Sequence, residues 1–298
     1  MSMPVTSQSR SWELRPMITD DVEPVMAVVD SANAAKAELG MRQAAPTPND
    51  AQLDAIRVGH ARFVQRDGPG AWVAVADGHV VRVAESIRRG SFWGLSMLFV
   101  HPDFQSRGIG AQLLDRAMTY AAGASERMIE SSSDARAMRR YFLAGLAMHP
   151  AAEIWGEADR RAIPRSLPGR AGTENDLDLV ATVEAHLGRS RTEDVAFVLG
   201  DDRFRLDVVD RGPGQGWAVS STGRLIMLGA TDEQTAAAVV WRHLGACNGD
   251  TRAFGLTAAQ QWAFAVAYEA RLSVRVGGAL FVDGMAIPGP WIPSGWFF

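Results

Sequence analysis

The chain has 298 residues, of which 47% are hydrophobic and 21% charged, and its formal net charge at pH 7 is -4. This length corresponds to about two globular domains; the lack of a basic block argues against a nucleic-acid partner, and the lack of an apolar run of about 18 residues argues against a membrane span. Cys247 is the one cysteine, which excludes an intramolecular disulfide and a Cys-based zinc site, and we predict no metal site.

The N-terminal residues have no apolar signal core, so we expect a cytoplasmic protein. In the first half, hydrophobic periodicity and turn residues predict alternating strands and helices. In chain order these are a strand near 12–15, helices at about 20–35 and 50–66, a hairpin around Asp77-Gly78, a strand over 92–100, a helix from Ile109, a strand near 127–131, a helix over 134–145 and a closing strand near 150–156. Antiparallel hairpins followed by strand–helix–strand indicate a mixed α/β or α+β sheet flanked by helices.

A Pro- and Arg-rich segment, EADRRAIPRSLPGRAG at 157–172, separates two halves of similar composition and is typical of a linker. We therefore predict one domain over 1–157, a linker over 158–172 and a second domain over 173–298. Residues 1–157 are called the first copy below, and residues 173–298 the second copy, because their patterns repeat.

The repeat is visible at both ends of the halves. Residues 21–32 and 176–187 share an acidic start and the same apolar spacing. A constant offset of 126 relates the last helices, pairing Ala137, Tyr141 and Gly145 with Ala263, Ala267 and Arg271. Together these likenesses favour a tandem repeat of one fold.

The stretch FVHPDFQSRGIGAQLL, residues 99–114, places two close glycines between a strand and a helix. A helix N-terminus has unpaired N–H groups and attracts anions, and Gly108 and Gly110 let a phosphate approach the backbone. Arg107 adds donors suited to phosphate oxygens. A Walker loop would need a lysine here, and a dinucleotide fingerprint would need glycine where Leu113 stands. The alternative is a plain helix start that happens to contain glycines.

The same stretch resembles the coenzyme-A-binding motif of the GNAT N-acetyltransferase superfamily, Gln/Arg-x-x-Gly-x-Gly/Ala after a strand that ends Val-x-Pro. The resemblance covers residues 10–157 directly and the second half more faintly. It implies two tandem GNAT-like domains, each a mainly antiparallel, mixed and twisted sheet flanked by helices, with acetyl-CoA as co-substrate. The cofactor contacts that it implies are Met97, Leu98, Phe99, Val100, Gln105, Ser106, Arg107, Gly108, Ile109, Gly110, Ala111, Asp134 and Ala137.

A second landmark of the family, Asn-x-x-Ala-x-x-x-Tyr-x-x-x-Gly-Phe, resembles DARAMRRYFLAGL. Asp134 stands where Asn is usual and Leu146 where Phe is usual, but Asp134 still suits a helix N-cap. The resemblance makes Tyr141 the candidate general acid for the coenzyme A thiolate; the alternative is a core tyrosine.

The general base is not fixed by the sequence. The strand over 92–100 carries no carboxylate, so the base is left open among Glu85, Glu130, His101 and a water relayed by Ser96.

The second copy lacks these features. Its corresponding stretch, LIMLGATDEQTAAAVVW, has no paired glycines, and Asp232 and Glu233 would repel phosphate. Ala267 stands at the position of Tyr141. We therefore expect a degenerate second copy. Its tail, IPGPWIPSGWFF, is expected as a final edge segment, or alternatively as a strap that brings Trp291 or Trp296 to the acceptor cleft of the first copy.

These features predict an acetyl-CoA-dependent N-acetyltransferase that acts on a primary amine of a small molecule or peptide. A non-catalytic acyl-CoA-binding module is the alternative of a different class, and transfer of a longer acyl group is a third possibility. Because a tandem repeat can imitate a two-fold dimer, both a monomer and a homodimer are compatible with the sequence.

Overall fold

The computed structural model describes residues 12–39, 47–105, 109–210 and 214–297, with Ile109 and Gly110 described by their backbone alone. The predicted cofactor contacts Ser106, Arg107 and Gly108 lie outside these ranges. The chain forms two compact units. The first comprises the chain up to Ile87 together with Met97–Ala122, and the second comprises Arg88–Ser96 and the chain from Gly123 onward. The domain boundaries predicted above were drawn from the sequence repeat and not from these units, and they remain a prediction.

The first unit is an antiparallel sheet covered by helices. Its elements are β1 (Trp12–Pro16), α1 (Val22–Glu38), α2 (Asp50–Asp67), β2 (Ala71–Ala76), most of β3 (His79–Arg89), the end of β4 (Phe92–Val100) and α3 (Ile109–Thr119). Strand β2 pairs antiparallel with β1 and β3. The predicted hairpin is confirmed, since Asp77 and Gly78 connect β2 to β3 with φ of 52° and 78°.

Two local features position the helices of this unit. Helix α2 starts after Asn49, whose side chain accepts from the Gln52 N–H while the Gln52 side chain accepts from the Asn49 N–H; this reciprocal cap fixes the first turn. The apolar faces of α1 and α2 then pack on β2 and β3 around the buried side chains of Val25, Val73 and Val83. Burial of this apolar area holds the sheet and helices together.

The second unit contains the start of β4 and the strands that follow it in the chain. Their hydrogen-bonded order in the sheet is β4-β5-β12-β6-β11-β10-β9-β8-β7. Its strands are β5 (Glu126–Ser131), β6 (Ala147–Glu157), β7 (Arg170–Ala171), β8 (Phe204–Val209), β9 (Gly216–Ser221), β10 (Arg224–Ala230), β11 (Asp250–Leu256), β12 (Ser273–Asp283) and β13 (Trp291–Ile292). Its helices are α4 (Ala135–Leu143), α5 (Leu177–His186), α6 (Thr192–Leu199), α7 (Glu233–Ala246) and α8 (Gln261–Glu269). Parallel and antiparallel pairs both occur, which confirms the predicted mixed sheet with flanking helices.

The repeat ends in an exchange of strands. The predicted offset of 126 carries α4 onto α8 and β6 onto β12, residue for residue at both bounds. Strand β12 pairs with β5 on one side and with β6 on the other, and β6 in turn pairs with β11. Both neighbours of the last strand of each copy therefore belong to the other copy.

The C-terminal tail binds to β10. Strand β13 pairs antiparallel with it at Leu228↔Ile292 and Gly229↔Trp291, and the Ala230 N–H donates to the Pro290 carbonyl at 2.9 Å. Within the described residues β13 pairs with β10 alone, as expected for a final edge segment, although β10 itself also pairs with β9 and β11. Trp291 is fully buried and is a core residue of the second unit. No helix within the described ranges has both the length and the apolar character needed to cross a bilayer.

Candidate active site

The residues that directly follow β4, His101 to Gln105, are held by hydrogen bonds to β3 and within their own turn. The His101 N–H donates to the Val81 carbonyl at 2.9 Å, and the Gln105 N–H donates to the Pro102 carbonyl at 3.2 Å. The Gln105 side-chain amide reaches back to the Val100 carbonyl at 3.5 Å. Gln105 thus shapes the turn that leads to the predicted phosphate contacts.

Helix α3 begins at Ile109, as predicted, and its first turn contains no acidic side chain. Leu113, Leu114 and Ala117 on its inner face are buried, so packing fixes the direction of the helix, while Ala111 is exposed. Unpaired N–H groups and the positive end of the helix dipole then face the preceding loop. This arrangement fits an anionic diphosphate.

The residues of β4 whose backbone is predicted to contact the cofactor have side chains that pack against other parts of the protein. Met97 is buried, and Leu98, Phe99 and Val100 are half-buried. The Lys36 ammonium of α1 lies 4.8 Å from the centre of the Phe99 ring, a cation–π contact. Fixed side chains give the strand backbone a defined position, which recognition by backbone groups requires.

Helix α4 starts as predicted. The Asp134 carboxylate accepts from the Arg136 N–H at 2.9 Å, which confirms that Asp134 is the N-cap. The Arg136 guanidinium bonds the same carboxylate. Ala137 is half-buried one turn before Tyr141, and residues at this spacing share a helix face.

Tyr141 is 5% exposed, and its ring meets that of Phe281 on β12 edge-on, with 5.6 Å between centroids. Burial raises the pKa of Tyr141 above its ordinary value, an effect that nearby Arg140 opposes. The phenol therefore stays protonated around neutral pH and can act as a hydrogen-bond donor or acid.

Three of the four candidate bases have other partners. Glu85 is completely buried, and its carboxylate lies 2.7 Å from His60 Nδ1. His101 Nδ1 accepts from the Asp103 N–H in the short turn after β4. The Ser96 hydroxyl donates to the Trp296 carbonyl at 2.8 Å.

Glu130, the fourth candidate, is a half-buried carboxylate on β5. Burial raises its pKa to about 7, although the positive charge of Arg224 opposes the rise. Its protonation changes near neutral pH, and part of its surface stays accessible.

Residues 38–146 match the sequence profile of the Acetyltransferase (GNAT) family. This stretch of the first copy is therefore similar to an acetyltransferase domain of that family. A search of curated proteins found no match.

Solved structures extend the likeness in fold to nearly the whole chain. A candidate acetyltransferase of Pyrococcus horikoshii is 12% identical with a TM-score of 0.77, and the alignment covers 99% of each chain. A tandem GNAT protein from the clavulanic acid biosynthesis pathway is 17% identical with a TM-score of 0.60, covering 93% of this chain and 100% of that one. A GCN5-related N-acetyltransferase from Sphaerobacter thermophilus is 15% identical with a TM-score of 0.60, covering 95% and 99%. The chain therefore has a tandem GNAT fold.

The second GNAT-like copy differs at the start of its corresponding helix. The Asp232 carboxylate caps α7 by accepting from the Thr235 N–H at 2.8 Å and from the Thr235 hydroxyl at 2.7 Å. Glu233 adds a second acidic residue to the first turn. The N-terminus of α7 therefore already binds a carboxylate of the chain itself. Ala267 is fully buried where the first copy has Tyr141.

A buried cation in the second copy was not predicted from the sequence. The Arg191 guanidinium bonds both oxygens of Glu184 and donates to the carbonyls of Leu228 on β10 and Ile292 on β13. The rings of Trp217 and Trp291 lie 4.8 and 5.2 Å from it. Since both charges are buried and fully bonded, this network is structural, and it fixes the tail to β10.

Proposed function

We propose that the chain transfers an acetyl group from acetyl-CoA to a primary amine of a small molecule or peptide, using the first copy. The observation that carries the proposal is helix α3, which starts behind the predicted phosphate loop without an acidic side chain in its first turn. The match of residues 38–146 to an acetyltransferase family supports the same reaction.

The proposed roles divide between backbone and side chains. N–H groups around Ser106–Ala111, with Arg107 and Gln105, would bind the diphosphate. Backbone groups of Met97–Val100 would bind the acyl arm, and the start of α4 with Asp134 and Ala137 would complete the cofactor site. When bound, acetyl-CoA supplies an acetyl thioester that a neutral amine can attack.

Tyr141 is the proposed acid. A protonated phenol can donate to the sulfur as negative charge develops on it. Burial keeps the proton on the phenol at neutral pH, so Tyr141 would be present as a donor when the thiolate leaves.

Calorimetry of the full chain with coenzyme A and with acetyl-CoA, followed by an assay of thiol release with a panel of primary amines, tests the proposal. We expect heat of binding with both and release that depends on the amine. Binding without amine-dependent release from any member of the panel would support an acyl-CoA-binding module instead. No heat with either compound would overturn the proposal.

A further inference from the structure

Arg82 on β3 is a charged side chain that the first unit buries almost completely, since it is 1% exposed. It pairs with Ala74 of β2. Paired residues, and residues two apart on one strand, share a face of the sheet, so Arg82 lies on the same face as Trp72. The Arg116 guanidinium of α3 lies 5.7 Å from the centre of the Trp72 ring. Arg82 is therefore on the sheet face that α3 covers.

A β-bulge directs Arg82 and the residue before it to one place. The register between β2 and β3 shifts by one residue, so that Val81 is an extra residue of β3. A bulge of this kind re-aims side chains that would otherwise point to opposite faces. Phe104 packs against the apolar cluster that contains Val81, and the Arg82 guanidinium donates to the Phe104 carbonyl. Two successive residues of β3 therefore hold the same residue of the turn that follows β4.

The peptide unit between Phe104 and Gln105 is held at both of its polar groups. Its carbonyl accepts from the buried Arg82 guanidinium, and its N–H donates to the Pro102 carbonyl at 3.2 Å. The carbonyl oxygen is thus directed into the protein interior. Rotation of this peptide unit by half a turn would direct the oxygen to the solvent side, from which an anion approaches, and its partial negative charge would repel that anion.

We propose that Arg82 is a positioning residue for the cofactor diphosphate, because it holds the Phe104 carbonyl away from the phosphate contacts predicted from Gln105 onward. This inference rests on the proposed function and deepens it, since it names a buried residue on which affinity for the diphosphate depends. Successive backbone N–H groups bind an anion when the neighbouring carbonyl oxygens point elsewhere. Arg82 itself contacts neither the cofactor nor the acceptor in this proposal.

An arginine suits this role for two reasons. Its guanidinium stays ionised and donates from a planar fork of fixed geometry, and hydrogen bonds from an ionised donor are about twice as strong as those between neutral groups. Without such a bond, the turn would spend only part of its time in the arrangement that binds the diphosphate. If that part were about a tenth, the apparent affinity would fall about ten-fold.

The test compares Arg82→Met with Arg15→Met in the full chain. Arg15 is the matched control: its guanidinium bonds both oxygens of Asp21 at 2.6 and 2.7 Å, and it pairs with Val73, which places it on the opposite face of the same sheet. Calorimetry should show coenzyme A bound about 10- to 100-fold more weakly by Arg82→Met. Arg15→Met should lower the Tm but keep the affinity within about two-fold of wild type.

Turnover separates positioning from a general loss of structure. With acetyl-CoA and a primary amine, Arg82→Met should raise the KM for acetyl-CoA by the same factor as the calorimetric loss and leave kcat within about two-fold of wild type. The value of kcat/KM should be unchanged with S-acetylpantetheine, an acetyl donor that has the acyl arm but no diphosphate. Arg82→Lys keeps the charge without the fork and should recover part of the affinity.

Wild-type affinity for coenzyme A in a folded Arg82→Met would overturn the inference and leave the proposed function intact. Equal losses of kcat/KM with both donors would also overturn it, because the substitution would then act on more than the diphosphate. If Arg82→Met does not fold, Arg82→Lys decides: a KM for acetyl-CoA raised at least about three-fold supports the inference, and a wild-type KM overturns it. A wild-type chain that binds no coenzyme A would overturn both the inference and the proposed function.

Discussion

The strands and helices of the two copies follow the same order, but what lies at the ends of the corresponding strands β4 and β10 differs. In the first copy, β4 leads through a glycine-containing loop to α3, whose first turn holds no acid. In the second copy, β10 pairs with the chain's own tail, and Asp232 caps the helix that follows. The comparison teaches that one order of strands and helices accommodates two different helix starts, because the sheet carries the stability while the groups at a strand end can vary.

The largest expected effect concerns the buried network of Arg191 and Glu184 in the second copy. Arg191→Ala leaves the buried Glu184 charge without a partner and should lower the free energy of unfolding by about 3–5 kcal/mol. Urea unfolding measures this loss, and hydrogen exchange at Trp291 and Ile292 should rise. Arg191→Lys, which keeps the charge, should lose less.

The control for this comparison is Arg161→Ala, since the Arg161 side chain is 91% exposed. Its unfolding midpoint should match that of the wild type. Unchanged protection of Trp291 and Ile292 in Arg191→Ala would show that Arg191 does not fix the tail.

The next test compares the N-terminus of α3 with that of α7. Gly108→Glu places a side chain and a negative charge in the predicted phosphate loop and should weaken coenzyme A binding by at least about 100-fold, or about 2.7 kcal/mol. Gln234→Glu adds the same charge to the first turn of α7 and should change nothing. Calorimetry that showed equal losses in both variants would contradict the assignment of the site to the first copy.

The third test exchanges the residue at the tyrosine position. Tyr141→Phe should lower kcat about 100-fold, while affinity for coenzyme A stays within about two-fold, because the ring packing against Phe281 is kept. Thiol release at an unchanged rate in Tyr141→Phe would exclude Tyr141 as the acid.

The smallest effect concerns the buried pair of the first unit. His60→Ala should cost about 1–3 kcal/mol of unfolding free energy, since Glu85 loses its partner. Burial raises the pKa of Glu85 and His60 opposes that rise, so the substitution should raise this pKa further. The raised pKa in the folded state makes the loss larger at pH 8 than at pH 5. Urea unfolding at the two pH values measures it, and an equal loss at both would contradict this account.

Local patterns were sufficient for much of the fold. Asp77-Gly78 specified the hairpin, the apolar run over 92–100 specified β4, and Asp134 specified the start of α4. Each signal arises from neighbours in sequence, where turn geometry, strand alternation and capping act. The offset of 126 likewise follows from comparing one local pattern with another.

Contacts between distant segments could not be obtained in this way. Nothing near Trp291 indicates that it pairs with Gly229, and nothing near Arg191 indicates that it binds two strands at once. Glu130 was a candidate base from the sequence, but its glycine neighbours come from β11 and the tail. These features depend on contacts between segments that are far apart in the sequence, which periodicity does not encode.

The exchange of β6 and β12 makes the folding of each half depend on the other half. Because β12 separates β5 from β6, a polypeptide cut in the linker would yield two fragments, each lacking an inner strand and exposing unpaired backbone. The fragments should regain structure when mixed and aggregate when produced singly. Deletion of either copy would therefore remove a strand that lies between two strands of the other.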